Sequence, residues 1–378
     1  MSNTRIFGYD IARAVALFGM FAVHTLLPSV DNEPTFAGEY FAGKAAPLFA
    51  VLAGVSIMLI SRRTEQYKQK IAARAVFIIL VGFFLTVLNT HIAVILIHYG
   101  LLFFVALPFI KLSTKALGLW TVIAFLVTPV LYWLSHQILG QYLDSFPQQY
   151  PPGLDLLIGT PYPVVVWITY FLAGMLLYRL NIVQWSTKAL FTLTAVSGAV
   201  WALLHQNVLG KYMIDYHVMH QDTLLPNLVN SETLRTELIT GQFYNSFVES
   251  PLWFFLPTPH SSSTVDVLSS IAFCLAVIAL STVIGKLVNK STAAYRAMSP
   301  LIGAGQAPLT LYAGHIVVFA VFLYSGLPIQ ATTLLLLFIL ISLIYGAYLV
   351  NFQKKGMLEQ VNTKFIHAMI EPKRQSKE

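Results

Sequence analysis

Charge is scarce in this 378-residue chain: Asp, Glu, Lys and Arg together make up only 10% of it, against about a quarter in a soluble globular domain. A larger soluble core does not explain so deep a deficit. The single cysteine, Cys274, excludes an intramolecular disulfide and a thiolate metal cluster; within an apolar run such a residue is ordinarily a small packing group. No P-loop, GxSxG or HExxH pattern is present, which removes the usual sequence marks of nucleotide hydrolysis, serine hydrolysis and zinc proteolysis. The histidines lack metal-ligand spacing such as His-x3-His with a neighbouring carboxylate, so no metal is expected. There is no repeat on the scale of a solenoid unit, no lipidation motif, and no low-complexity stretch beyond Pro147–Gly153.

What the chain has is apolar length. It is 57% hydrophobic, with a mean hydropathy of +0.70. A spanning helix needs about 20 mostly apolar residues to cross about 30 Å of hydrocarbon, and such runs recur throughout. The expected fold is an all-α integral membrane protein, a polytopic bundle of about ten transmembrane helices. Spans are expected near 7–27, 41–60, 75–90, 92–110, 116–138, 162–179, 189–209, 264–284, 301–323 and 329–351. Asn89-Thr90-His91 leaves almost no loop between the third and fourth, which then form a tight hairpin or a re-entrant structure. Asp10 and Arg13 lie inside the first apolar run and no small-x-small site follows it, so it reads as a retained span rather than a signal peptide.

Orientation follows from the basic residues. Arg62, Arg63, Lys68, Lys70 and Arg74, then Lys111 and Lys115, Arg179 and Lys188, and Lys286, Lys290 and Arg296 fall on alternate connections. The positive-inside rule then puts both termini in the cytoplasm. Residues 1–351 read as one membrane domain and 352–378 as a basic cytoplasmic tail. The two long external connections run about 139–161 and 206–263, the second with a short helix near 231–240. Their polar, aromatic character suits a carbohydrate-like acceptor, and equally an ordinary ordered loop. The net charge of +7 and pI of about 9.3 reflect this membrane topology; nucleic acid is not an expected partner.

Charged groups inside a span are costly and are normally functional or paired. The first span has Asp10, Arg13 and His24. Asp10 and Arg13, three apart, share a face and form a pair. Arg13 and His24, eleven apart, also point the same way, separated by about 16.5 Å of helix. That geometry suits coenzyme A: a guanidinium holds a phosphate by bidentate hydrogen bonds, and an imidazole at the far end of the pantetheine arm takes a proton from an acceptor. The plainer alternative is an Arg13–Asp10 anchor at the interface with His24 as a bonded packing residue. Tyr312 and His315 share a face of the ninth span, either as an acceptor-binding group and second proton carrier or as an interhelical hydrogen bond. His91 and His98 share a face at the third–fourth hairpin, where structural use competes with substrate contact. Lys44 opens the second span, to hold an anionic donor or to snorkel to the interface. His260 precedes the eighth span without an evident role.

Asp10-Ile-Ala-Arg-Ala-Val-Ala-Leu-Phe-Gly-Met-Phe-Ala-Val-His24 resembles the first-span signature of the transmembrane acyltransferase superfamily, which includes acyltransferase-3 proteins, YeiB-type bacterial proteins and heparan-α-glucosaminide N-acetyltransferases. Further matches are Gly43-Lys-Ala-Ala-Pro-Leu-Phe-Ala-Val-Leu-Ala-Gly54, Tyr162-Pro163 with Trp167 and Tyr170, Pro259-His-Ser-Ser, and Gly303-Ala-Gly-Gln-Ala-Pro-Leu-Thr-Leu-Tyr-Ala-Gly-His315. They run from residue 5 to about 320, and the YeiB-type group is the closest in pattern. The resemblance implies an acyl-CoA donor, most simply acetyl-CoA, and a carbohydrate or lipid-linked envelope acceptor. Arg13 takes the donor-binding role, with Lys44 and Arg74 beside it. His24 takes the catalytic role, with Asp10 and His315 in support. Tyr312, Tyr162, Trp167 and His98 are the candidate substrate contacts. Two departures matter. Only Lys70 and Arg74 stand where the acyltransferase-3 group has a basic pair. Heparan-type enzymes tend to have Asn at the His24 position and a catalytic His in the next loop, whereas residues 28–40 contain none; a heparan acceptor therefore does not follow.

The sequence thus reads as an acyltransferase of the cytoplasmic membrane, with membrane lipids, a coenzyme A thioester, the acceptor and a second copy of the chain as its expected partners. The rival is a transporter or flippase without covalent chemistry, against which stands the lack of a repeated half. A non-catalytic scaffold leaves Arg13, His24 and His315 without a reason.

Overall fold

The computed structural model describes residues 5–26, 40–90, 92–143, 153–159, 161–205, 208–219, 235, 238–239 and 251–370. Most of the connection 28–40, residues 144–152 and 160 of the connection 139–161, much of 206–263 including most of the expected helix near 231–240, His91, and the tail beyond 370 lie outside the described residues.

Fourteen α-helices and no strand occur among the described residues. The long ones are α1 Phe7–Leu26, α2 Ala45–Arg63, α3 Tyr67–Val87, α5 Thr114–Leu143, α8 Thr187–Leu204, α10 Thr264–Val288, α12 Pro308–Ser325 and α13 Ala331–Asn351. Shorter are α4 Leu96–Ala106, α6 Leu154–Ile158, α7 Val164–Arg179, α9 Leu209–Met219, α11 Thr292–Gln306 and α14 Met357–Ile370. Among the described residues eight helices are long and apolar enough to cross a membrane, with the apolar segments Leu96–Lys111 and Val164–Arg179 shorter. The chain is an all-α polytopic integral membrane protein, as its composition demands.

Helix α1 occupies the centre, packed by α2, α10, α11, α12 and α13. Around it, α2 pairs with α7, α8 with α10, α11 with α13, and α3 with α4. Without a hydrophobic force between helices in lipid, close packing depends on small residues. At the α2–α7 contact Gly54 lies against the Phe171 carbonyl and Gly174 against that of Val51, each leaving no room for a Cβ.

Two expected boundaries change. The ninth span, expected as one helix over 301–323, is divided between α11 and α12 at Ala307. Pro308 has no N–H to continue α11 but sits well as the first residue of α12. The freed N–H groups of Leu309 and Thr310 donate to Glu359 Oε1, at 2.8 and 3.3 Å. The third span begins at Tyr67 rather than near 75, so Lys68, Lys70 and Arg74 stand on helix α3 and not in a loop. The segment expected as a basic tail contains α14, packed against α3 and α12.

Candidate functional site

Helix α1 presents its charged residues as its periodicity requires. Asp10 is buried and accepts from Arg13 Nη1 at 2.8 Å and from Arg5 Nε at 2.6 Å. Arg13 Nη2 also donates to Ser56 Oγ of α2 at 3.1 Å. The guanidinium is thus fixed between two helices and faces a cavity of about 680 Å³, part of which is continuous with solvent. Arg74 faces the same cavity from α3, and its Nε has no hydrogen-bond partner among the described residues. The rest of the wall is mainly apolar, with Phe49, Leu52 and Phe103 among the side chains. Two guanidiniums at a largely apolar cavity match a ligand with an anionic head and a long, weakly polar arm.

His24 lines a second cavity of about 320 Å³. Met20, Ile95 and Tyr312 are walls of both, so the two spaces adjoin along one face of α1. His24 Nδ1 lies 2.9 Å from His315 Nε2, the imidazole planes inclined by only 8°. One of these nitrogens donates and the other accepts, so the contact couples the tautomers of the two rings. His315 is buried against the rings of Phe21, Tyr312 and Phe338. The bond leaves Nε2 as the free ring nitrogen of His24.

Tyr162 also lines the His24 cavity. Its ring meets Trp167 at 5.1 Å, His98 at 5.7 Å and His260 at 5.6 Å, each edge to face. Trp167 and His98 thus support Tyr162 and are not walls of the cavity themselves. Asp10 stands fourteen residues from His24, about 21 Å of helix, and pairs with Arg13 and Arg5, not with His24. Lys44 borders neither cavity. Its ammonium donates to Asp266 Oδ1 at 3.0 Å and to Ser270 Oγ at 2.9 Å, in the interior. A buried, paired Lys44 does not snorkel.

Two participants, Ser56 and Asp266, escaped the sequence analysis, and a third, His260, was named there without a role. Ser56 and Asp266 carry no local signal, because each is read only through a partner far along the chain. His260 does have one, the Pro259-His-Ser-Ser element, but nothing in the sequence says that it faces His24. It lies outside the spanning helices, and burial first and the Lys44 charge second push its pKa down to about 4.

The model of the family described as heparan-alpha-glucosaminide N-acetyltransferase, catalytic, matches residues 5–221. That stretch holds Arg13, His24, Arg74, Tyr162 and Trp167, whereas His260 and His315 lie beyond it. No curated protein and no solved structure matches the chain. With its core helix, its cavity-lining guanidiniums and more than half its length inside the match, the chain belongs to the heparan-alpha-glucosaminide N-acetyltransferase catalytic family of membrane acetyltransferases.

Proposed function

We propose that this protein transfers an acyl group, most simply acetyl, from a cytoplasmic acyl-CoA to a carbohydrate or lipid-linked acceptor at the outer leaflet of the cytoplasmic membrane. The observation that carries this reading is the pair of adjoining cavities, Arg13 and Arg74 on one, His24 on the other, with Met20, Ile95 and Tyr312 between. Arg13, oriented by Asp10 and Ser56, would hold a phosphate of the donor together with Arg74. The apolar stretch between would take the pantetheine arm and bring the thioester to His24. Water excluded from such a space no longer competes with the acceptor.

At the thioester His24 is the general base. Its free Nε2 accepts the proton of the acceptor's hydroxyl or amine as that oxygen or nitrogen bonds to the acyl carbon. The carbon–sulfur bond breaks, and the proton returns to the departing thiolate. His315 holds the ring in position and shares its charge through the Nδ1 contact.

The break at Ala307 between α11 and α12 favours a second reading, since discontinuous helices line transport paths. The two readings separate on one measurement. Purified protein incubated with radiolabelled acetyl-CoA and an envelope glycan extract should label the extract. His24→Ala should lower that labelling by about 10²–10⁴-fold, the range of a lost proton-transfer group, while the protein stays folded. Near-normal labelling in His24→Ala removes the imidazole from the mechanism; no labelling by the wild type leaves transport.

A further inference from the structure

Helix α14 folds back onto the bundle and locks to the start of α12. Glu359, in its first turn, accepts through Oε1 from the N–H groups of Leu309 and Thr310, and through Oε2 from the Thr310 hydroxyl at 2.5 Å. Thr310 Oγ1 accepts in return from the Leu358 N–H at 2.9 Å. Each helix thus satisfies free N–H groups at the other's N-terminus, as a capping side chain does within one helix. Gly356 makes room for the carboxylate, since a Cβ there would collide with Glu359 Oε2 and with Ala307.

The lock stands at the rim of the larger cavity. Pro308 and Leu309, the first residues of α12, belong to its wall together with Arg13 and Arg74. The positive end of α12 therefore adjoins the same space as the two guanidiniums, and such an end attracts anions. Arg13 is already balanced by Asp10. Arg74, whose buried Nε lacks a partner among the described residues, is the cation left for a ligand, and the charge of Glu359 reaches it. The docked helix is also held at a cost. Asn362, 4% exposed, has a buried Oδ1 without a partner among the described residues, a penalty that contact with water relieves. The connection from α13 to α14 contains Gly356 and a left-handed Gln353, at φ 50°, so a few residues can absorb a swing of the helix.

We propose, resting on the acyl-transfer reading, that α14 is a latch on the donor cavity: Glu359 and the anionic head of the acyl-CoA compete for the start of α12 beside Arg74, so donor entry displaces the helix. With α14 docked, the carboxylate offsets the positive end of α12 and the Arg74 charge, and it repels a second anion. With a donor phosphate in its place, the same N–H groups meet the ligand's charge and the Asn362 amide returns to water. Donor binding and docking of α14 then exclude one another. By linkage, whatever holds α14 down weakens the donor to the same extent. The plain alternative is a cap that only steadies α12.

The test titrates acetyl-CoA by calorimetry into wild type, Glu359→Gln and Thr310→Val in one detergent. Glutamine keeps an oxygen to accept the two N–H groups but loses the charge, and charge-assisted hydrogen bonds are about twice as strong as neutral ones. Thr310→Val keeps the Glu359 charge and the branched shape but removes both bonds made through the hydroxyl. Donor affinity should rise by about fivefold or more in each variant, the low end of a typical coupling, whereas a plain cap leaves it unchanged or lowers it. In the wild type, amide hydrogen exchange of residues 357–370 should speed up when acetyl-CoA is added, because the helix leaves its site. Unchanged or weaker donor binding in a variant that melts like the wild type would overturn the latch alone. So would tighter binding in Glu359→Gln with unaltered exchange in the wild type, which leaves a repelling charge but no movement. Wild-type protein that does not bind acetyl-CoA would overturn the acyl-transfer reading and the latch with it.

Discussion

Replacing Lys44 by methionine removes the charge that faces Asp266 while keeping a side chain of similar length. The ammonium stands 3.0 Å from Asp266 Oδ1, and the two side chains are only 8% and 4% exposed, so solvent screens the pair little. In Lys44→Met the carboxylate keeps the Ser262 N–H at 3.3 Å and the Ser270 hydroxyl at 3.4 Å, but no cation. Removing one partner of a buried pair costs about 3–5 kcal/mol, chiefly because the remaining charge is left uncompensated. That is a large share of the roughly 5–15 kcal/mol by which a domain is stable, so the melting temperature in detergent should fall clearly. The double variant Lys44→Met, Asp266→Asn leaves no charge at this pair and should recover most of the loss, since replacing both members of such a pair is often close to neutral. Thermal melting of wild type, single and double variants in one detergent measures this, with acetyl-CoA titrated into each by calorimetry. A single variant that melts like the wild type but loses donor affinity would refute the structural role and return Lys44 to the donor site. A double variant no more stable than the single would refute the pairing argument itself.

Arg13→Lys keeps the charge but loses the planar fork that bonds Asp10 and Ser56 together, so acetyl-CoA affinity should fall by about tenfold or more with little change in melting. Unchanged donor affinity in calorimetry would end the phosphate-clamp idea. His260 makes stability depend on pH. Its ring stays neutral in the fold down to about 4, whereas unfolded it gains a proton below its ordinary 6.5. Unfolding therefore takes up a proton between those values, and stability falls as the pH drops through that window and levels off above it. Melting temperatures across this range should show a slope that His260→Asn reduces; an identical slope in the variant would show that the ring does not contribute.

The membrane class was legible from apolar run length, because about 30 Å of hydrocarbon demands it of any chain. So was the common face of Arg13 and His24, since helix periodicity is a local property. Pro308 stood in plain view as a helix breaker, yet the apolar run continued through it; only docking of Glu359 from α14 satisfies the restarted helix. Which residues meet across helices was not legible. His24 and His315 are separated by 291 positions and Lys44 and Asp266 by 222. Helices that are apolar nearly all round give little sign of which face meets which neighbour. That choice is made by small residues such as Gly54 and Gly174, which let backbones approach only where both chains allow it. His260 illustrates the same division. Its motif is local, but its cavity and its nearness to His24 exist only once α1, α2 and α10 are packed together.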